Sequence, residues 1–126
     1  MGDRICVTVT SDGRRSPTLY CHWAGLRALI ALHKVLKVSR HDISNVFCNL
    51  IVEVMENECH DCSYYVYNDG EAEGMADWDN WSWTYDLRKM TWTTTDPRFG
   101  GRELTQEETE DHVRRCRKDL VEGGYL

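Results

Sequence analysis

An α+β fold, with a mostly antiparallel sheet of about five strands and three helices, is what this 126-residue sequence predicts, and three observations predict it. Apolar residues alternate two by two along Arg4 to Thr10 and again along Trp81 to Leu87, the period of half-buried strands. Between Ile43 and Met55 they recur at three- and four-residue steps, the period of an amphipathic helix. Short turn-forming stretches join neighbouring strands, which favours hairpins over helical crossovers. A chain of this length suits one domain, residues 1–126.

Taken in order, Arg4 to Thr10 (RICVTVT) sets Ile5, Val7 and Val9 against Cys6, Thr8 and Thr10. In the following SDGRRSP, Asp12-Gly13 supplies positive φ and Pro17 closes the loop, so Thr18 to His22 is expected to return antiparallel to the first strand. From Ala24 to Lys37, Leu26, Leu29, Ile30, Leu32, Val35 and Leu36 spread around most of a helix, which predicts cover on more than one side. A second helix follows Ser39 or Asp42 as N-cap, with Ile43, Val46, Phe47, Leu50, Ile51, Val54 and Met55 on its inner face. Ser63 to Asn68 (SYYVYN) is β-prone. WSWTYDL then places Trp81, Trp83, Tyr85 and Leu87 on one face, and Arg88-Lys89 turns the chain into MTWTT. The last helix opens on the capping box Thr105 to Glu108 and buries a narrow face of Val113, Cys116 and Leu120 before Gly123-Gly124. The predicted order is β-β-α-α-β-β-β-α.

The formal charge of −6 is unevenly laid out. Between Arg40 and Arg88 there is no Lys or Arg, and eleven acids lie there. Seven basic residues against two acids occupy residues 1 to 40, and the last 39 residues are balanced. Either the acidic block neutralises the basic N-terminal third within the fold, or it is presented to a basic partner. No run reaches the ~18 apolar residues of a membrane span, and MGDRICVTV has no apolar signal region, so a cytoplasmic protein without membrane contact is expected, with free thiols rather than disulfides.

The tetrad His22-Trp23-Ala24-Gly25, the long helix after it, the second helix DISNVFCNLI, an aromatic strand and an acidic Asp-Asn segment follow one another in an order that resembles a family of small uncharacterised proteins borne by phages and prophages, which carry an HWxG-type motif. The likeness covers residues 4 to 95 as an order of elements and is close in letters at the tetrad alone. It implies an accessory protein of a mobile element, acting in the host cell interior, and brings no activity with it. The CHDC stretch and the charged last helix depart from the pattern.

Three constellations carry candidate chemistry. Cys21 and His22 stand at a strand-to-helix turn, but adjacent strand residues point to opposite faces, so a cysteine hydrolase centred on Cys21 needs His33, His41, His60 or His112 beside it. The structural alternative has Trp23 packing the strand end on the helix, Gly25 permitting close approach, and His22 bonded to backbone or to an acidic loop. Cys59 and Cys62 have zinc-knuckle spacing, with His60 between them as a strained third ligand; an exposed loop with two thiols and no cofactor is the expectation, and zinc is the alternative. The remaining ligands would come from Cys21 and His22, Cys48, or the i,i+4 pair His112 and Cys116. The segment Asp69 to Asn80 has calcium-loop oxygens but ends in Asn80 where a bidentate glutamate is required. Its aromatic neighbours are expected in the core, and the lack of Lys and Arg around them argues against direct nucleic-acid binding.

The function this favours is a non-enzymatic accessory or regulatory protein, of which counter-defence of the anti-CRISPR kind is one form. It would present Glu71, Glu73, Asp77 and Asp79 to a basic protein partner. The alternatives are a zinc-stabilised binding module and the Cys21 hydrolase. An open strand edge leaves a homodimer as a further expectation.

Overall fold

The computed structural model describes residues 3–38, 42–57, 63–118 and 122. Its elements are β1 (Ile5–Ser11), β2 (Arg14–Arg15), β3 (Thr18–Cys21), α1 (Arg27–Val38), α2 (Ile43–Asn57), β4 (Tyr64–Tyr67), β5 (Ser82–Asp86), β6 (Thr91–Thr94), a 3-10 turn (Pro97–Phe99) and α3 (Gln106–Cys116). The α+β class and the predicted order hold. The added strand is β2, which continues the first hairpin: Asp12 (φ 51°) and Gly13 (φ 76°) form the two-residue turn, and Thr10 and Ser11 pair with Arg15 and Arg14.

The sheet runs β4-β3-β1-β5-β6, with β2 against the end of β1. All pairings are antiparallel except β1 with β5, where Val7 lies beside Trp83 and Val9 beside Tyr85. The period-two pattern of β1 explains its central place. Ile5, Val7 and Val9 face the helices in a buried cluster with Leu19, Cys21, Trp83, Tyr85 and Trp92, while Cys6 belongs to a second, smaller cluster on the other face.

All three helices feed the larger cluster. Val46, Phe47, Leu50 and Val54 of α2 lie in it as predicted, and Asp42 caps that helix by accepting a hydrogen bond from the Asn45 N–H at 2.8 Å. In α1, eight of twelve residues are buried, in keeping with its broad apolar circumference. The predicted capping box starts α3: Thr105 Oγ1 accepts from the Glu108 N–H, and the Glu108 carboxylate accepts from the Thr105 N–H. Val113 is buried, whereas Cys116 is exposed, contrary to its predicted place on the buried face. Both core indoles have polar partners, Trp83 Nε1 donating to Asn80 O and Trp92 Nε1 to Gln106 Oε1. Leu120, Gly123 and Gly124 lie outside the described residues.

Candidate functional site

The second sheet face is where the acidic segment lies. Residues 69 to 80 form a run of turns, with positive φ at Gly70 (83°), Gly74 (77°) and Trp78 (65°). Its two small apolar residues, Ala72 and Ala76, press on Cys6 and Tyr20 and bury them. Burial pushes the Cys6 thiol above its ordinary range, so it stays protonated beneath this cover.

Arg4 fastens the segment from below. Its Nη1 donates to Met75 O at 2.8 Å and its Nη2 to Asp77 O at 3.2 Å, while its Nε and backbone N–H both donate to Asp79 Oδ2. Asn80 locks the far end, donating from Nδ2 to Asp3 Oδ1 and Arg4 O. The result is an acidic ledge, held by one strand-end arginine and two buried alanines.

The four acids expected at a partner surface separate here. Asp79 is tied to Arg4 at 3.2 Å and is a structural counter-ion. Asp69 likewise pairs with Arg15 at 3.0 Å. Glu71, Glu73 and Asp77 have no ion pair among the described residues, and Glu71 accepts only the Asn68 N–H. Elsewhere in the block, Glu53 faces Lys34 and Asp86 holds the hairpin turn by accepting from the Arg88 and Lys89 N–H groups. The neutralising reading of the charge block therefore holds for Asp79, Asp69 and Glu53, each of which faces a basic residue from the N-terminal third. Next to Asp77 in the same run of turns is Trp78, 84% exposed, with its ring against Trp81 at 5.3 Å. Trp81 itself departs from the predicted strand face: its φ of 67° turns it out before β5 begins.

Next to the ledge the sheet face is open and hydroxyl-lined. A groove of about 240 Å³ has Thr8, Thr18, Ser82 and Thr84 along it and Arg15 and Glu73 at its rim. Thr8 and Thr18 are buried and bonded to each other at 2.8 Å, so Ser82, Thr84 and the Glu73 carboxylate are the groups that offer acceptors to a cationic side chain.

The tetrad departs from expectation in one respect. Trp23 does not pack the strand end on the helix; it is 50% exposed. Its ring instead covers His22 at 4.8 Å, and His22 Nδ1 bonds to the Tyr20 hydroxyl at 2.9 Å. With Tyr65 and Tyr67 packed on Tyr20, these rings form an aromatic strip towards the β4 edge. Gly25 does allow a close approach: at φ 56° its N–H donates to Asp3 O, and a Cβ there would fall 2.2 Å from Asp3 Oδ2. Cys21 has no exposed surface and faces the helices, opposite to His22. His33 and His112 pack on Trp92 and Trp83, whose strands lie two and more places from β3. A substrate has no approach to Cys21 in this arrangement.

Cys59, His60 and Cys62, with His41, lie outside the described residues. Among the described residues no three His, Cys, Asp or Glu side chains come together in a way that could hold a metal ion, and no helix is long and apolar enough to cross a membrane. Compared with protein-family models, curated proteins and solved structures, the chain has no match.

Proposed function

We propose that this protein is a non-enzymatic binding module whose acidic ledge docks on a basic surface of a protein partner, with Trp78 as the apolar anchor. The observation that carries this reading is Trp78, a large aromatic 84% exposed on a positive-φ backbone position, in the same run of turns as Glu71, Glu73 and Asp77, which have no ion pair among the described residues. Positive φ is costly for a bulky residue, and an exposed indole gains nothing from the core, so neither feature serves the fold. Tryptophan ringed by charge is the composition of an interaction hot spot. The hydroxyl-lined groove at Glu73 adds a receptor for a lysine or arginine of the partner. A mobile-element accessory protein, the setting implied by the tetrad, suits such an adaptor, and counter-defence is one use of it.

The test separates docking acids from structural ones. A Glu71→Gln, Glu73→Gln, Asp77→Asn triple variant and Asp79→Asn are compared with the parent for capture of a partner from host lysate, and then for association kinetics with that partner at low and high salt. The triple variant should keep its melting temperature and associate about tenfold or more slowly at low salt, because steering charges act chiefly on the on-rate. Trp78→Ala should speed dissociation. Asp79→Asn should instead lower the melting temperature. Equal association rates for parent and triple variant at low salt would refute the reading.

A further inference from the structure

The two edges of the sheet are finished differently. On β6, Trp92 exchanges both backbone hydrogen bonds with Leu104, at 2.9 and 2.8 Å, so the centre of that edge is covered. The opposite edge is β4. Its register with β3, carried one pair beyond Cys21 and Tyr64, sets His22 opposite Ser63, and the His22 N–H donates to Ser63 O at 3.0 Å. Antiparallel ladders alternate bonded and non-bonded pairs, so Tyr65 and Tyr67 bond to Tyr20 and Thr18, and Val66 between them turns its N–H and C=O away from the sheet. No group among the described residues meets them. The next outward position, Asn68, is already closed: its N–H donates to Glu71 Oε1 at 2.7 Å and its C=O accepts the Glu71 N–H at 3.1 Å.

The same strand keeps apolar side chains in solvent on both of its faces. Val66 shares the helix-side face with Leu19, its neighbour on β3, yet it is 55% exposed where Leu19 is buried. On the other face Tyr65 is 50% exposed, stacked on Tyr67 at 6.1 Å. Edge strands are ordinarily blunted by a charge, a proline or a bulge. Ser63 to Asn68 (SYYVYN) has no charged residue and no proline, and β4 pairs with β3 in unbroken register. Outward backbone groups with apolar surface on either side of them are what a further strand requires.

We propose that β4 pairs antiparallel with β4 of a second copy of this chain, around a twofold axis at Val66. Each Val66 donates its N–H to the carbonyl of the other and accepts in return, and the two side chains cover each other on the helix-side face. One residue to either side, Tyr65 of each copy lies opposite Tyr67 of the other, so the two stacked pairs close into a cluster of four rings. A second copy is the occupant because the stretch complements itself: donor meets acceptor, valine meets valine, ring meets ring. Charge favours the same contact, since each chain carries −6 and Ser63 to Asn68 sets no acid against another. The exposed half of Tyr65 supplies on the order of 100 Å² per copy. The strand contact as a whole stays well under the ~800 Å² per partner of a standard interface, so the dimer is a weak one in exchange with monomer. Its axis stands perpendicular to the joined sheet, which puts both acidic ledges on one face.

Sedimentation of the full chain from about 10 μM to about 1 mM reads the equilibrium, and the average mass should rise towards that of two chains. Hydrogen exchange locates the contact. The Val66 amide should gain about tenfold or more protection in the concentrated sample, while the Tyr65 and Tyr67 amides, bonded within each copy, stay as they were. Raising salt from about 50 to about 500 mM should strengthen the dimer, because it screens the repulsion between two acidic chains. Docking of the ledge on a basic partner has the opposite salt dependence, so the two readings fail separately. Val66→Pro removes a donor that a single copy does not use, at an outward edge position where proline is tolerated, and should stay folded and monomeric at about 1 mM. Val66→Lys sets two like charges on the axis and should raise the dissociation constant about tenfold or more, whereas Thr93→Lys, exposed on β6, should not. A parent that is monomeric at about 1 mM in high salt would overturn the proposal. So would a dimer without added protection at Val66, or a Val66→Lys dimer as tight as the parent.

Discussion

Replacing His33 by leucine should flatten the acid side of the protein's stability profile. His33 is 2% exposed on the inner face of α1, and among the described residues neither ring nitrogen has a hydrogen-bond partner. Its one compensation is an edge-to-face contact with Trp92, 5.3 Å between centroids at 83°. Burial, assisted by the Lys37 charge, lowers its pKa from 6.5 to about 3. The folded protein therefore holds the ring neutral while the unfolded chain protonates it near 6.5, so between those values the unfolded state binds more protons and stability rises with pH. That contribution is complete above about pH 6.5 and is lost as pH falls towards 3. Each pH unit inside the window is worth ~1.4 kcal/mol, so from pH 6.5 to pH 4.5 this residue should cost the parent roughly 2.5 kcal/mol. Leucine, close to imidazole in volume, cannot titrate and leaves no orphaned nitrogen; at pH 7 the variant should be as stable as the parent or better by about 1 kcal/mol. Urea unfolding followed by tryptophan fluorescence at pH 7 and pH 4.5 measures both changes. Carboxylates such as Asp96 lose stability in acid in both proteins, so their effect cancels in the difference. If His33→Leu loses as much stability over this range as the parent, the ring is not held neutral and the reasoning is wrong.

Two further outcomes follow from the tetrad and the cysteine knuckle. Gly25→Ala should lower stability by about 1–3 kcal/mol, since it forces a side chain into φ 56° and displaces the Asp3 carboxylate from Asn80 and Arg117, whereas the half-exposed Trp23→Ala should change stability by about 1 kcal/mol or less. Thermal melts of the two variants should rank in that order. The zinc reading of Cys59 and Cys62 demands close to one zinc per chain and unfolding on chelation. Elemental analysis of purified protein decides it, because metal-free folded protein removes that reading.

The periodic elements were legible because their patterns are local. Strand β1 alternates, α2 repeats at three and four, and the Thr105 to Glu108 box contains both of its own hydrogen bonds. The parallel union of β1 with β5 was not legible: it joins segments about 75 residues apart, and no local pattern encodes which non-adjacent strands meet. The start of α1 was placed too early for a related reason. Gly25 looks like a residue that lets a helix pack closely, but the positive φ it adopts around the Asp3 backbone delays the helix to Arg27. Trp23 is expected to pack the strand end on the helix from its place at the strand-to-helix turn, and its position beyond the end of β3 leaves it half in solvent.

The acidic block shows most plainly what counting charges can and cannot do. The absence of Lys and Arg from 41 to 87 identified the segment, yet it could not separate Asp79 from Asp77, two residues away. That division depends on Arg4, on the other side of the sheet's first strand in sequence and directly beneath the ledge in space. Arg4 bonds the Asp77 carbonyl and the Asp79 carboxylate, so Asp77 contributes its backbone to the clamp and its side chain has no ion pair among the described residues, while Asp79 contributes its carboxylate. The same arginine thereby fixes the turn that sets Trp78 at φ 65° between them. On the docking proposal, Trp78 and the charge beside it would be oriented before any partner arrives, which would remove part of the ordering entropy from association. For a ledge of turns with only two buried alanines beneath it, that clamp is what holds the acidic segment in one shape.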